Sequence, residues 1–195
     1  LALYANTTGA SNTAVGYQCL DACTTGAALT AVGHTALGAN TTGYSNVAVG
    51  GGAPYLAAAM QSNTTGYGNT ALGSGAMASN TTASSSTAVG RSAMYANSTG
   101  GNHVAVGNHA LKENTTGNTN TAVGVTALGL NTTGSNNTGL GYIAGDLITT
   151  GSNNTCLGYQ ADPTGATVSN EFTLGNSSVS ALRCADTSIA ALSDR

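Results

Sequence analysis

Asn114-Thr115-Thr116-Gly117-Asn118-Thr119-Asn120-Thr121-Ala122-Val123-Gly124-Val125-Thr126-Ala127-Leu128-Gly129-Leu130 is one unit of this chain, and Asn131-Thr132-Thr133-Gly134 begins the next. The run Thr121-Ala122-Val123-Gly124 decides the fold, because a near copy closes on glycine at Gly16, Gly33, Gly50, Gly73, Gly90, Gly107, Gly124, Gly141, Gly158 and Gly175. Successive closing glycines lie 17 residues apart, except for one interval of 23 between Gly50 and Gly73. A second mark, Asn-Thr-Thr-Gly or a near copy, stands seven residues earlier in most units, ending at Gly9, Gly26, Gly43, Gly66, Gly100, Gly117, Gly134 and Gly151, with Ala83 in the glycine slot once. A fixed period of this length marks an architecture of stacked coils, each too thin to bury a core without its neighbours.

Within a unit, Thr-Ala-Val-Gly predicts a four-residue strand. The residue before the closing glycine is aliphatic in all ten copies: Val15, Val32, Val49, Leu72, Val89, Val106, Val123, Leu140, Leu157 and Leu174. Two residues earlier stands Thr or Val, with Phe172 last, and the column between is small: Ala14, Ala31, Ala48, Ala71, Ala88, Ala105, Ala122, Gly139, Cys156 and Thr173. Side chains alternate along a strand, so the aliphatic and small columns occupy opposite faces. The expectation is that the aliphatic column forms the coil core and the alanine face meets a close neighbour, another subunit; the reverse assignment is the alternative. Ala36-Leu37, Ala76-Met77, Ala93-Met94, Ala110-Leu111 and Ala127-Leu128 predict a second, shorter strand that fills the core opposite the valines. The closing glycines and the Asn-Thr-Thr-Gly runs supply two corners, since Gly and Asn accept the φ > 0 that tight corners need. Helix is disfavoured by the density of Gly, Thr and Asn and by a period foreign to 3.6. Stacking places Asn12, Asn46, Asn69, Asn120, Asn137 and Asn154 in an interrupted ladder whose amides can bond along the axis.

The expected fold is therefore all-β: a parallel β-solenoid, or β-roll, of about ten 17-residue coils over residues 1–175, followed by a tip or junction segment, 176–195. At ~4.8 Å per coil the stack spans roughly 45–50 Å. The long interval reflects six extra residues in 51–58, Gly51-Gly52-Ala53-Pro54-Tyr55-Leu56-Ala57-Ala58, which predict a loop at one corner. Insertions in solenoids map to loops, often on a binding face, although a tolerated surface insertion is the plainer expectation.

Composition removes several classes of function. The 195 residues contain 4 Lys+Arg and 7 Asp+Glu, for a net charge of −3, without the basic stripe that nucleic acids require. Apolar residues make up 41% and recur in register, which argues for order rather than disorder. No run approaches the ~20 apolar residues that cross a bilayer as a helix. The chain opens mid-repeat at Leu1-Ala2-Leu3-Tyr4, with no leader pattern, so further sequence upstream is expected. Cys19 and Cys23 are four apart, no second pair follows, and a small buried thiol is the expected role.

The run Asn-Thr-Ala-Val-Gly-x-x-Ala-Leu, with Asn-Thr-Thr-Gly between copies, resembles the head repeats of trimeric autotransporter adhesins and, equally, repeat-bearing tail fibres of bacteriophages. The resemblance covers residues 1–175, although the family's usual repeat is somewhat shorter. It implies a left-handed parallel β-roll with three chains side by side. Leu174-Gly175-Asn176-Ser177-Ser178-Val179 with Ala191-Leu192-Ser193-Asp194-Arg195 is similar to the junction that precedes the intramolecular chaperone of phage tailspikes and endosialidases. That similarity implies self-cleavage between Ser193 and Asp194, though the chain continues past the bond and lacks the chaperone body. The implied function is a structural and adhesive segment of a phage tail fibre or tailspike. It would be a homotrimeric rod on the virion, meeting a glycan or protein receptor on the host surface without nucleic acid, membrane insertion, cofactor or catalysis. A bacterial surface adhesin head or extracellular fibril is the alternative. A tailspike enzyme with its catalytic domain elsewhere and an ice-binding solenoid are lesser ones, the last lacking the Thr-x-Thr strand pair.

The remaining candidates are individual side chains. Tyr17, Tyr142 and Tyr159 share the slot after the closing glycine, Tyr44 and Tyr67 share another, and Tyr55 lies in the insertion. Aromatic rings at corners stack on sugars, or simply on each other. His34, His103 and His109 are the only histidines; a three-fold column of one of them could ring a metal, but exposed or hydrogen-bonded imidazole is the plainer role. Asp146 and Asp162 lie in adjacent coils and are expected as solvated corner residues. Asn6, Asn40, Asn63, Asn80, Asn97, Asn114 and Asn131 fit the Asn-x-Ser/Thr glycosylation pattern, which the repeat generates automatically and which would give a glycan stripe if used.

Overall fold

The computed structural model describes residues 1–52 and 56–181. Ten strands lie in chain order in one parallel sheet: β1 (Thr13–Val15), β2 (Thr30–Val32), β3 (Val47–Val49), β4 (Thr70–Leu72), β5 (Thr87–Val89), β6 (Val104–Val106), β7 (Thr121–Val123), β8 (Thr138–Leu140), β9 (Thr155–Leu157) and β10 (Phe172–Leu174). Register follows the period: Thr121 pairs with Thr138, Ala122 with Gly139 and Val123 with Leu140. It survives the long interval, where Val47 pairs with Thr70. The chain is thus an all-β parallel solenoid of 17-residue coils, with no helix among the described residues.

Each strand has three residues, because the closing glycine leaves the extended region: Gly16, for instance, has φ +134°. A Cβ there would lie 2.6 Å from the carbonyl oxygen of Gly33 in the next coil, so coil-to-coil spacing at this corner excludes any side chain.

Two expectations require correction. The aliphatic column does not form the coil core. Ala31, Ala48, Ala71, Ala88, Ala105 and Ala122 are fully buried, whereas Val15, Val49, Leu72, Val106, Leu140 and Leu174 are exposed and Val32, Val89, Val123 and Leu157 only half-buried. The cause is room. The column across the coil carries Leu20, Leu37, Met60, Met77, Met94, Leu111 and Leu128, all fully buried, and these long side chains fill the interior. Opposite them the strand has space for a methyl group and little more. Where the slot is Gly139, an added Cβ would stand 2.9 Å from Leu128 Cγ. The alternation is therefore as expected, but alanine points inward and valine outward.

The second correction concerns the Ala-Leu segment, which is a turn rather than a strand. Leu20, Leu37, Met60, Met77, Met94, Leu111 and Leu128 have φ between +49° and +53°, the left-handed region. Backbone bonds still tie coil to coil there, as from Leu111 N–H to the Ala127 carbonyl at 2.9 Å. Burial of a leucine or methionine contributes about 1.5–3 kcal/mol, enough to offset the 1–2 kcal/mol of the left-handed backbone.

Polar columns complete the coil. Asn120 Oδ1 accepts from the Asn137 N–H at 2.9 Å and its Nδ2 donates to the Gly134 carbonyl at 2.8 Å; Asn46, Asn69, Asn137 and Asn154 repeat the scheme. A second ladder runs through Asn40, Asn63, Asn80, Asn97, Asn114 and Asn131, in which each Nδ2 from Asn63 onward donates to the Oδ1 of the preceding coil at 2.6–3.4 Å. Hydroxyls at the next slot donate to the carbonyl one coil on, as from Thr115 to Thr132 at 3.1 Å. Buried amides bonded in this way avoid the cost of unpaired polar groups, about 1–3 kcal/mol each, except at the end of the second ladder, where Asn131 Oδ1 is buried without a partner.

Candidate functional site

Function in such a stack resides in what the coils leave uncovered. The outer face of the sheet carries two columns, Thr or Val at the strand start and Val or Leu at its end. Val15, Val49, Leu72, Val104, Val106, Leu140, Phe172 and Leu174 are exposed along it. These exposed apolar side chains come from six of the ten strands and make the outer face an apolar surface that the coils themselves leave uncovered.

The corner aromatics pair along the axis. Tyr44 stacks on Tyr67 with ring centroids 4.9 Å apart, Tyr142 on Tyr159 at 5.6 Å and Tyr17 on His34 at 5.6 Å, all with nearly parallel ring planes. Tyr17, Tyr142 and Tyr159 nevertheless remain about half exposed or more. Tyr55, Ser193 and Asp194 lie outside the described residues.

The histidines part company. His34 is held against Tyr17. His103 is buried in the strand-side asparagine column, where its ring Nδ1 accepts from the Asn120 backbone N–H at 3.1 Å and its backbone N–H donates to Ser86 Oγ at 3.1 Å. Burial, against weaker support from neighbouring backbone carbonyls, pushes its pKa down to about 4. His109 is half-buried at a corner and takes no part in that column. Among the described residues no three His, Cys, Asp or Glu side chains gather as a metal site.

Two further expectations change. Asp146 is not a freely solvated corner residue: its Oδ1 is buried without a hydrogen-bond partner, and burial together with the nearby Asp162 raises its pKa. Asp162 accepts from the Leu147 N–H at 3.0 Å, so the structure does bring the two carboxylates together. Asn40, Asn63, Asn80, Asn97, Asn114 and Asn131 are fully buried with bonded amides, so the folded coil cannot present a glycan stripe through them. Cys19, Cys23 and Cys156 are free, buried thiols, and burial pushes Cys156 up to about 11.

One feature escaped the sequence reading. Leu56, Arg91, Ser92, Tyr95, His109 and Lys112 line a cleft of about 280 Å³. The period builds it. Ser92 and His109 hold the second slot after their closing glycines, and Tyr95 and Lys112 the fifth, so each pair comes from adjacent coils at ~4.8 Å. The His109 N–H donates to the Arg91 carbonyl at 3.1 Å, and the Ala96 N–H to the Lys112 carbonyl at 2.9 Å, which locks the two coils in this register. Gly75 holds the Ser92 slot one coil earlier. A Cβ there would sit 3.4 Å from the Tyr95 ring, so its absence leaves the ring's flank open. Leu56, from the insertion, forms the remaining wall. The available signal was charge: Arg91 and Lys112 are the only Lys or Arg in residues 1–181.

Compared with known proteins, the chain matches no family model, no curated protein and no solved structure.

Proposed function

We propose that this chain is the rod segment of a homotrimeric adhesive fibre, of the phage tail fibre or tailspike kind, which meets a host-surface receptor through repeated weak contacts. The observation that carries it is the uncovered aliphatic face, which runs from Val15 on β1 to Leu174 on β10. With the alanines turned inward, this face is the one available to neighbouring chains, in place of the alanine face. Three straight, in-register sheets can pack such columns about a common axis and bury them. The stiff rod that results repeats each surface group three-fold, and avidity rises without any single tight site. The resemblance of the Thr-Ala-Val-Gly and Asn-Thr-Thr-Gly repeats to fibre and adhesin heads supports the same reading, and a bacterial surface adhesin head would use the same geometry.

Native mass spectrometry of the chain tests it. The expected result is a trimer that Val106→Asp and Val123→Asp, placed on the outer face, dissociate. A monomer at micromolar concentration for the unsubstituted chain contradicts the proposal.

A further inference from the structure

We propose that the cleft between Arg91, Tyr95, His109, Lys112 and Leu56 binds an anionic saccharide unit, a sugar ring that carries a carboxylate or sulfate. The inference deepens the attachment reading above and rests on it only for its biological setting; the binding chemistry does not require the trimer.

The charge distribution is the first support. Five acidic residues are spread over 1–181, at Asp21, Glu113, Asp146, Asp162 and Glu171, while both cationic side chains of that span fall in one cleft. Arg91 is exposed and forms no ion pair among the described residues. Its planar guanidinium can bind a carboxylate or sulfate through two parallel hydrogen bonds. Lys112 donates to Glu113 Oε1 at 2.6 Å, but with both side chains about 40% exposed the pair is open to exchange for a ligand anion. Burial, and after it the nearby charges of Lys112 and Arg91, hold the His109 imidazole below its ordinary pKa against the opposing charge of Glu113. His109 is therefore a neutral hydrogen-bonding group at pH 7.

The second support is shape. Tyr95 presents a ring whose flank is free because Gly75 adds nothing beside it. An apolar ring face beside a polar tip suits the mixed surface of a sugar. Leu56 supplies an apolar wall of the same cleft. The volume, about 280 Å³, lies at the lower end of small-molecule sites and suits one monosaccharide unit of a longer chain rather than a large cofactor. Small inorganic anions would fill the cationic end and leave the Tyr95–Leu56 end empty.

Titration calorimetry or ligand-observed NMR on the full chain tests this. The probes are a uronate trisaccharide, a sialylated trisaccharide and a sulfated disaccharide, each beside its uncharged counterpart, and inorganic sulfate alone. The expected result is millimolar-range binding of at least one charged saccharide, no measurable binding of its uncharged counterpart, and at least a tenfold loss in the Arg91→Gln/Lys112→Gln variant. Leu56→Ala should weaken the saccharide several-fold and leave sulfate unaffected. Thr167→Ala, exposed in a distant coil, serves as the control that retains binding. Circular dichroism confirms that each variant remains folded. The proposal is overturned if no charged saccharide binds, if the double variant binds as well as the parent, or if inorganic sulfate binds as tightly as the saccharides. Because the readout is binding per chain, a monomeric protein that binds would refute the trimer and leave the cleft standing.

Discussion

The coils from Gly107 to Gly158 and those from Gly73 to Gly107 share one backbone but differ in what their slots contain. In the upper stretch the strand-side column reads Asn120, Asn137, Asn154, each bonded to the next coil by the same two contacts. In the lower stretch it reads Ser86, His103, and the contacts are improvised: Ser86 Oγ and His103 Nδ1 stand in for the amide oxygen as acceptors. The same lower coils carry Gly75, Ala83 and Arg91, and the first corner beyond Gly107 carries His109 and Lys112. Consensus residues are occupied with holding neighbouring coils together, which leaves the departures from consensus free to do something else. In a repeat protein, aperiodic positions are where function is to be sought.

The contrast can be broken most forcefully from within. Leu128→Ala removes a fully buried side chain from the interior column and should cost about 2–5 kcal/mol, whereas Val123→Ala, next to the closing glycine on the outer face, should cost under about 1 kcal/mol in an isolated chain. Chemical denaturation of both variants checks this. Equal losses would mean that the valine column is interior after all.

A second experiment sharpens the contrast through pH. His103 is protonated more readily in the unfolded chain, near its ordinary value of about 6.5, than in the fold, where its pKa is about 4. Between those values the unfolded state binds more protons, so stability is complete above pH 6.5 and declines as pH falls toward 4. The loss amounts to at most about 3 kcal/mol. His103→Asn, which restores the slot's usual residue and its neutral acceptor, should flatten the decline over this window. An unchanged pH profile in that variant would place the sensitivity elsewhere.

The period, the parallel register, the asparagine ladder and the site of the insertion were legible in the sequence because each follows from spacing alone. The inward or outward sense of the strand was not. Alternation shows that Ala122 and Val123 face opposite ways, but only the filling of the interior by Leu111 and Leu128 decides which is inside. That filling depends on a left-handed turn at leucine and methionine, residue types with no preference for such a backbone, so composition could not announce it. The cleft was half legible: the scarcity of Lys and Arg could be counted, and their shared corner follows from slots one and five of adjacent coils. Gly75 and Leu56 as its open flank and wall required coordinates.

The winding itself can be measured with paired spin labels on the outer face, at Thr30 on β2 with either Val104 on β6 or Thr155 on β9, in a Cys184→Ser background diluted with unlabelled chain. Thr30 and Val104 are four coil steps apart and Thr30 and Thr155 seven, so pulsed dipolar spectroscopy should give narrow distributions near 19 Å and 34 Å, about 4.8 Å per step. Distances that fail to grow in proportion to the number of coils, or broad distributions at both pairs, would contradict a chain wound once every seventeen residues.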